Sequence, residues 1–141
     1  MPQSNWPRLL IGTLVAAIIM FFSDGFFHEV IAKADWKALY AALHANEPAP
    51  HGSSMVYFAI FEIGRAFTAL LFYATMRTRF GAGPKTAVLA GIAGWVAFSL
   101  TGPVQFIPLG FFSNALWLKV GAFHFIVSIV STLAGAALYK E

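Results

Sequence analysis

Long apolar runs alternate with short polar stretches along this chain, and each run has the length of a membrane-spanning helix. The four runs begin near Leu9, Met55, Thr86 and Ala115. A helix needs about 20 mostly apolar residues to cross a hydrocarbon core of about 30 Å. The pattern therefore predicts an all-α integral membrane protein, an antiparallel bundle of four transmembrane helices in a single domain, 1–141. The predicted helices cover residues 7–32, 55–76, 86–101 and 115–139.

The polar faces that a water-soluble bundle needs are missing from these runs. A helix on the surface of a soluble protein keeps charged or polar residues on its outer face, so we expect lipid to be the solvent here. The Ala-, Leu- and Gly-rich runs also lack the strict period-two alternation that is typical of strands. The segments without any charged residue are 9–22, 66–76, 86–118 and 125–139.

A shorter segment between the first and second runs has a different character. Within 34–44, Asp35 can cap a helix, and four apolar side chains follow it on a single helical face. The pattern predicts a short amphipathic helix that lies at the membrane surface. A loop over 46–54 is indicated by its proline and glycine residues. The apolar face of the amphipathic segment consists of Trp36, Leu39, Tyr40 and Leu43.

Turn-forming residues mark the ends of the later helices. We expect a tight turn over 77–85 after the second helix, and we expect Gly102-Pro103 to stop the third. Asn114 is the predicted cap of the fourth helix. The uncharged loop 104–113 is expected to fold onto the mouth of the bundle.

The orientation follows from the distribution of basic residues, which favour the cytoplasmic side of a membrane protein. We therefore predict that both termini and the 77–85 turn are cytoplasmic, and that the amphipathic helix lies outside. The opposite side has Lys33 and Lys37, with Lys119 just inside the fourth helix. The basic residues assigned to the cytoplasmic side are Arg8, Arg77, Arg79, Lys85 and Lys140.

Composition narrows the function classes. The chain is 59% hydrophobic and 11% charged, against about 25% charged residues in a typical soluble domain. Its net charge of +3 lies in short loops and forms no basic face for a nucleic acid, so we expect no such partner. The absence of cysteine excludes disulfides, iron–sulfur clusters and thiol catalysis. The expected partner is the lipid bilayer. Association with other membrane subunits, or with further copies of the chain, stays open.

Ionisable residues inside predicted membrane helices are candidates for function, because each is costly to bury in lipid. A rise of 1.5 Å per residue places Asp24, Glu62, Arg65 and His124 in one layer of the outer half of the bundle. A buried carboxylate can hold a proton, which makes this layer a proton-handling candidate. The ligand- or proton-binding candidates are Asp24, His28, Glu62, Arg65 and His124.

Metal, cofactor and catalytic signals are weak. Carboxylate-bridged metal sites in bundles use a Glu-x-x-His pair on each of two helices, and that spacing does not occur here. We therefore predict no metal centre and no catalytic residue, and the sequence identifies no cofactor. An axial haem ligand at His124 or His28 is an alternative, since one histidine suffices.

A heptad of small and polar residues runs along the fourth predicted helix. Small residues let membrane helices approach closely, so we interpret this seam as a packing surface within the bundle. Its members, at spacings of three and four, are Gly121, His124, Ser128, Ser131 and Gly135.

Three stretches carry a resemblance to a family. They are Ser23-Asp24-Gly25-Phe26-Phe27-His28-Glu29-Val30 followed by Asp35-Trp36, the turn Arg79-Phe80-Gly81-Ala82-Gly83-Pro84-Lys85-Thr86-Ala87, and the terminal Gly135-Ala136-Ala137-Leu138-Tyr139-Lys140-Glu141. In these, the chain resembles uncharacterised small four-helix integral membrane proteins of bacteria, which are grouped as a domain of unknown function. The resemblance implies the fold and a bacterial inner membrane. It implies no activity.

Two functions fit these observations. The first is a small non-enzymatic membrane protein, a structural or accessory subunit of a larger complex. The second is a protein that binds or transports a small molecule, an ion or a proton through the polar layer, with an enzyme or cofactor protein using His124 or His28 as a further alternative. A dry, fully paired layer would favour the first function, and a wet cavity that reaches the outer surface would favour the others.

Overall fold

The computed structural model describes residues 5–46 and 52–139, and within these ranges the chain is all-helical, with no strand. The expected loop 46–54 lies mostly outside the described residues. Two stretches of wider π-helix continue α1 and α4 without a break. The elements are α1 (Trp6–Phe26) with a π-segment (Phe27–Ile31), α2 (Lys33–Ala42), α3 (Ser53–Phe80), α4 (Pro84–Trp95) with a π-segment (Val96–Leu100), α5 (Thr101–Val104) and α6 (Asn114–Leu138).

Four continuous helical stretches among the described residues are long and apolar enough to cross a membrane. Their mean hydropathies, taken over the most apolar 18 residues of each, lie between 1.6 and 2.1. The prediction of an all-helical chain with four apolar spans is therefore confirmed. The spans are Trp6–Ile31, Ser53–Phe80, Pro84–Val104 and Asn114–Leu138.

The second span is longer at its end than the sequence indicated. α3 continues to Phe80, so residues 77–80 belong to the helix and not to the turn. The turn itself consists of residues 81–83, in which Gly81 and Gly83 have positive φ angles of 82° and 141°. Thr86 Oγ1 donates a hydrogen bond of 2.7 Å to the carbonyl of Gly81 and closes the turn.

The expected stop at Gly102-Pro103 is wrong. The π-segment Val96–Leu100 interrupts the regular hydrogen-bond ladder, and a short α5 (Thr101–Val104) then restarts the helix. Pro103 lies one residue before the end of this continuous helical stretch, shortly after the wider π-turn. The third span therefore extends to Val104.

The two predicted caps are also wrong. Ser113, in an extended conformation, caps α6 by accepting a hydrogen bond of 3.1 Å from the N–H of Leu116, and Asn114 is the first helical residue. Asp35 lies inside the first turn of α2 and its carboxylate binds Lys119 at 2.8 Å. This contact ties α2 to the start of α6.

The apolar face of α2 packs against one end of the four spans. Trp36 and Leu39 contact a small buried cluster around Phe27 and Leu116. Phe112, from the loop before α6, meets the Trp36 ring edge-on at 5.5 Å between centroids. Part of the 104–113 loop thus folds onto this end of the protein.

The four spans form a ring with small residues at their contacts. α1 and α4 each pack against both α3 and α6. The closest approach joins α1 to α6, where a Cβ added to Gly135 would lie 2.6 Å from the carbonyl oxygen of Gly12. All five residues of the predicted seam on α6 are buried, so its interpretation as a packing surface is confirmed.

Large apolar side chains point away from this ring. The exposed fractions reach 57% at Leu14, 68% at Phe22 and 62% at Ile126. A soluble protein rarely exposes so much continuous apolar surface. The pattern is the one expected of helices that have lipid as their solvent.

Candidate functional site

A buried guanidinium lies at the centre of the polar cluster. Arg65 Nη1 donates to Asp24 Oδ2 at 2.8 Å and contacts both carboxylate oxygens of Glu62, at 2.9 and 3.1 Å. The Arg65 side chain is 2% exposed, and the two carboxylates are almost as deeply buried. A single nitrogen therefore pairs with two buried acidic groups.

His124 extends the cluster on its far side. Its Nε2 lies 3.0 Å from Asp24 Oδ2, although the two groups are not aligned as a hydrogen bond. Its Nδ1 lies 3.0 Å from the hydroxyl of Ser99. These contacts link five side chains in the order Glu62, Arg65, Asp24, His124 and Ser99. We call this group of five residues the polar clasp.

Every one of the four spans contributes to the polar clasp. Asp24 comes from α1, Glu62 and Arg65 from α3, Ser99 from the π-segment after α4, and His124 from α6. Glu62 and Arg65 are three residues apart, a spacing that places two side chains on the same helix face. The other contacts depend entirely on how the helices pack.

Both π-segments lie beside the polar clasp. The first begins at Phe27, three residues after Asp24, and the second contains Ser99 itself. A π-segment adds a residue to the helical turn and rotates the side chains that follow it, and such segments are frequent at functional sites. Neither π-segment was predicted from the sequence.

The charges in the polar clasp do not balance. Two carboxylates face one guanidinium, so with both carboxylates ionised and a neutral His124 the formal charge is −1. Asp24 Oδ1 and Arg65 Nη2 are buried, and neither has a hydrogen-bond partner among the described residues. A buried polar atom without a partner is costly, so the polar clasp is buried but incompletely paired.

His28, the fifth candidate, lies outside the polar clasp. Its half-buried ring packs against Trp36 at 4.6 Å and against Phe27 at 5.9 Å between centroids. It belongs to the aromatic cluster beneath α2. Neighbouring Glu29 forms an exposed ion pair with Lys33 at 3.1 Å, as a residue near an interface can.

Ser99 is the member of the polar clasp that sequence reasoning missed. Its signal was weak, since a hydroxyl in a long uncharged run has many packing roles. The π-segment around it, and not any local motif, turns its hydroxyl towards His124. Phe61 is a second unexpected neighbour, with its ring 5.5 Å from the guanidinium carbon of Arg65.

The arrangement offers little to a metal or a haem. Across residues 5–46 and 52–139, no group of three or more potential ligands is placed to hold a metal ion. Arg65 already occupies the space between the two carboxylates. His124 Nδ1 lies 3.0 Å from the Ser99 hydroxyl, and Nε2 lies 3.0 Å from Asp24 Oδ2 without being aligned to it as a hydrogen bond.

Comparisons of the chain with known protein families, with curated proteins and with solved structures find no match.

Proposed function

We propose that this chain is a small non-enzymatic integral membrane protein, a structural or accessory subunit of a larger complex. In this proposal the four spans cross the membrane in antiparallel order, with both termini in the cytoplasm of a bacterium. Four apolar spans and their outward-facing apolar side chains support membrane insertion. The excess of basic residues around the 81–83 turn supports the orientation.

The observation that carries the structural role is the polar clasp. One contiguous set of polar contacts joins all four spans, and its central residue, Arg65, is 2% exposed. Contacts between polar side chains hold membrane helices in register, although each is worth only about 0.6–2 kcal/mol. Because these contacts join all four helices at one level, they make the bundle rigid. A rigid bundle presents a defined outer surface to a neighbouring subunit.

The test is purification in a mild detergent, with the native mass and the absorption spectrum recorded together. The expected result is a particle heavier than the detergent-bound monomer that contains other polypeptides. A colourless monomer or homo-oligomer of this chain alone would overturn the accessory-subunit role.

A second candidate function is supported by a different observation. With both carboxylates ionised and His124 neutral, the polar clasp would have a formal charge of −1, and Asp24 Oδ1 and Arg65 Nη2 have no partner among the described residues. A site that binds a proton or another cation would neutralise this charge, so binding or transport through the polar clasp is the alternative.

An infrared titration in light and heavy water tests this second candidate. The expected result is a pH-dependent carboxyl band that disappears in Glu62→Gln or Asp24→Asn. Asp35→Asn is the matched control, since Asp35 lies in the exposed pair with Lys119. If neither clasp variant removes a band, the polar clasp exchanges no proton.

A further inference from the structure

A groove of about 310 Å³ lies at the end of the bundle that contains the 81–83 turn. Tyr73 of α3 forms one wall, and its hydroxyl accepts a hydrogen bond of 3.3 Å from the N–H of Gly83. Pro84, the first residue of α4, also lines the groove. We call this feature the α4 groove. Its remaining lining residues, all apolar, are Ala87 on α4 and Leu133, Ala136 and Ala137 on α6.

The α4 groove has the size and the walls of a site for a hydrocarbon chain. A cavity of about 150 Å³ accommodates benzene, so a volume of about 310 Å³ holds several methylene groups. Ala137 on its wall is exposed, and so is the neighbouring Leu138, at 42%. Because these side chains face outward, a lipid acyl chain can enter the α4 groove from the bilayer.

Basic side chains lie near the mouth of the α4 groove. Lys85 follows Pro84 directly and is exposed. The guanidinium carbon of Arg77 lies 5.9 Å from the centre of the Tyr73 ring. Arg8, at the start of α1, and Arg79, near the end of α3, are exposed at the same end of the bundle. Exposed lysine and arginine side chains are cations near neutral pH.

No acidic side chain within residues 5–46 and 52–139 lies at this end of the bundle. Of the two residues that follow Tyr139 in the sequence, Lys140 and Glu141, the formal charges cancel. The end that contains the α4 groove therefore has a net positive charge. The acidic residues of the described ranges, which all belong to the polar clasp or lie towards α2, are Asp24, Glu29, Asp35 and Glu62.

The start of α4 adds to this positive charge at the groove itself. Gly83, which precedes α4, has no side chain that could cap the helix, and the first turn contains no acidic residue. The hydroxyl of Thr86 donates to the carbonyl of Gly81 instead. The first N–H groups of a helix have no partner within the helix, and they favour an anion. The apolar walls and the positive end of α4 therefore meet at Gly83 and Pro84.

We propose that the α4 groove binds an anionic phospholipid, with an acyl chain along its walls and the phosphate at its mouth. A zwitterionic lipid matches the apolar walls but has no net charge for the basic mouth, and a soluble anion matches the mouth only. Basic residues close to a membrane surface attract anionic lipids. This inference goes beyond the proposed function and uses only its placement of the four spans in a membrane.

The experiment is native mass spectrometry of the full chain released from nanodiscs that contain equal amounts of dioleoyl phosphatidylglycerol and dioleoyl phosphatidylcholine. The two lipids have the same acyl chains, so a difference in retention reports the head group. A basic residue near the surface favours an anionic lipid by about fivefold, so we expect at least about fivefold more retained phosphatidylglycerol. Equal retention of the two lipids, or retention of neither, would overturn the proposal.

Two variants locate the site. Lys85→Gln removes one charge from the mouth and is expected to lower the preference for phosphatidylglycerol by about fivefold. Its control is Lys37→Gln, at an exposed position on α2 at the other end of the bundle. Ala137→Leu fills the α4 groove while keeping every charge, and it is expected to abolish retention of the lipid. Its control is Ala122→Leu, at an exposed position of the same helix that does not line the α4 groove.

Each variant can contradict the proposal on its own. If Ala137→Leu retained phosphatidylglycerol as well as the unaltered chain, the surface charge would collect the lipid and the α4 groove would not be its site. If Lys85→Gln kept the full preference, the head group would not lie at the start of α4. Neither result would change which polypeptides purify with the chain, so a failure of this proposal is distinguishable from a failure of the accessory-subunit role.

Discussion

Arg65 on α3 lies 2.8 Å from the carboxylate of Asp24 on α1, a residue 41 positions earlier in the chain. The same nitrogen contacts Glu62, one turn earlier on α3. The Arg65 guanidinium therefore compensates both of the acidic groups that are buried between these helices. The consequences for stability are large, because neither carboxylate can turn to solvent for compensation.

Arg65→Met removes the cation and leaves two uncompensated carboxylates in the interior. Loss of one partner from a buried ion pair costs about 3–5 kcal/mol, so we expect the free energy of unfolding to fall by that amount. Denaturation of the protein in detergent micelles, followed by circular dichroism, measures it. Asp35→Asn is the control, because an exposed ion pair contributes about 0–1 kcal/mol. Equal stability of the two variants would contradict the central role of Arg65.

The contact of α1 with α6 leaves no room for a side chain at Gly135. The Cβ that Gly135→Ala adds would lie 2.6 Å from the carbonyl oxygen of Gly12, so the two helices must separate. We expect a loss of about 1–3 kcal/mol in the same unfolding measurement. Gly121→Ala, on the same helix, meets no atom within 4 Å and should be tolerated. If Gly121→Ala were destabilised and Gly135→Ala were not, the close contact between α1 and α6 would not lie at Gly135.

The start of α6 can be assigned by a pair of alanine variants. Ser113→Ala removes the side-chain acceptor for the Leu116 N–H and should cost about 1 kcal/mol. Asn114→Ala, at the first helical position, should change stability by no more than about 0.5 kcal/mol. Thermal unfolding shows which of the two variants is less stable. If Asn114→Ala were the less stable one, Asn114 would be the cap.

The proposed orientation can be tested by single cysteines, because the chain has none of its own. Ala38→Cys on α2 and Ala82→Cys in the turn after α3 both stand at exposed positions. In intact spheroplasts, a membrane-impermeant maleimide should label Ala38→Cys at once and Ala82→Cys only after lysis. If only Ala82→Cys were labelled in intact spheroplasts, the true orientation would be the opposite of the one proposed. If both were labelled, the two sites would not lie on opposite sides of the membrane.

The spans were predictable because their signal is local. A run of apolar residues with the length of a bilayer needs no knowledge of the neighbouring helices. Depth could also be estimated, since the helical rise is constant, and this placed Asp24, Glu62, Arg65 and His124 in one layer. The structure brings these four side chains together.

Helix ends were harder to predict, because neighbouring residues can take the same capping or terminating role. Ser113 and Asn114 are adjacent residues with similar capping ability, and only the backbone conformation chooses between them. A proline ordinarily ends the helix before it, but here the helix passes through the π-segment Val96–Leu100 and ends one residue after Pro103.

The sequence by itself determined the helical class and the four apolar spans, and the helical rise predicted that Asp24, Glu62, Arg65 and His124 share one layer, since each of these depends on composition or on the rise of one helix. Only the tertiary structure decided which side chains meet. The pairing of Arg65 with Asp24, the approach of Ser99 to His124, the separation of His28 and the α4 groove all depend on helix rotation and on contacts between distant segments. Helix rotation is set by packing small residues such as Gly12 and Gly135 against each other, a relationship that no local pattern in the chain encodes.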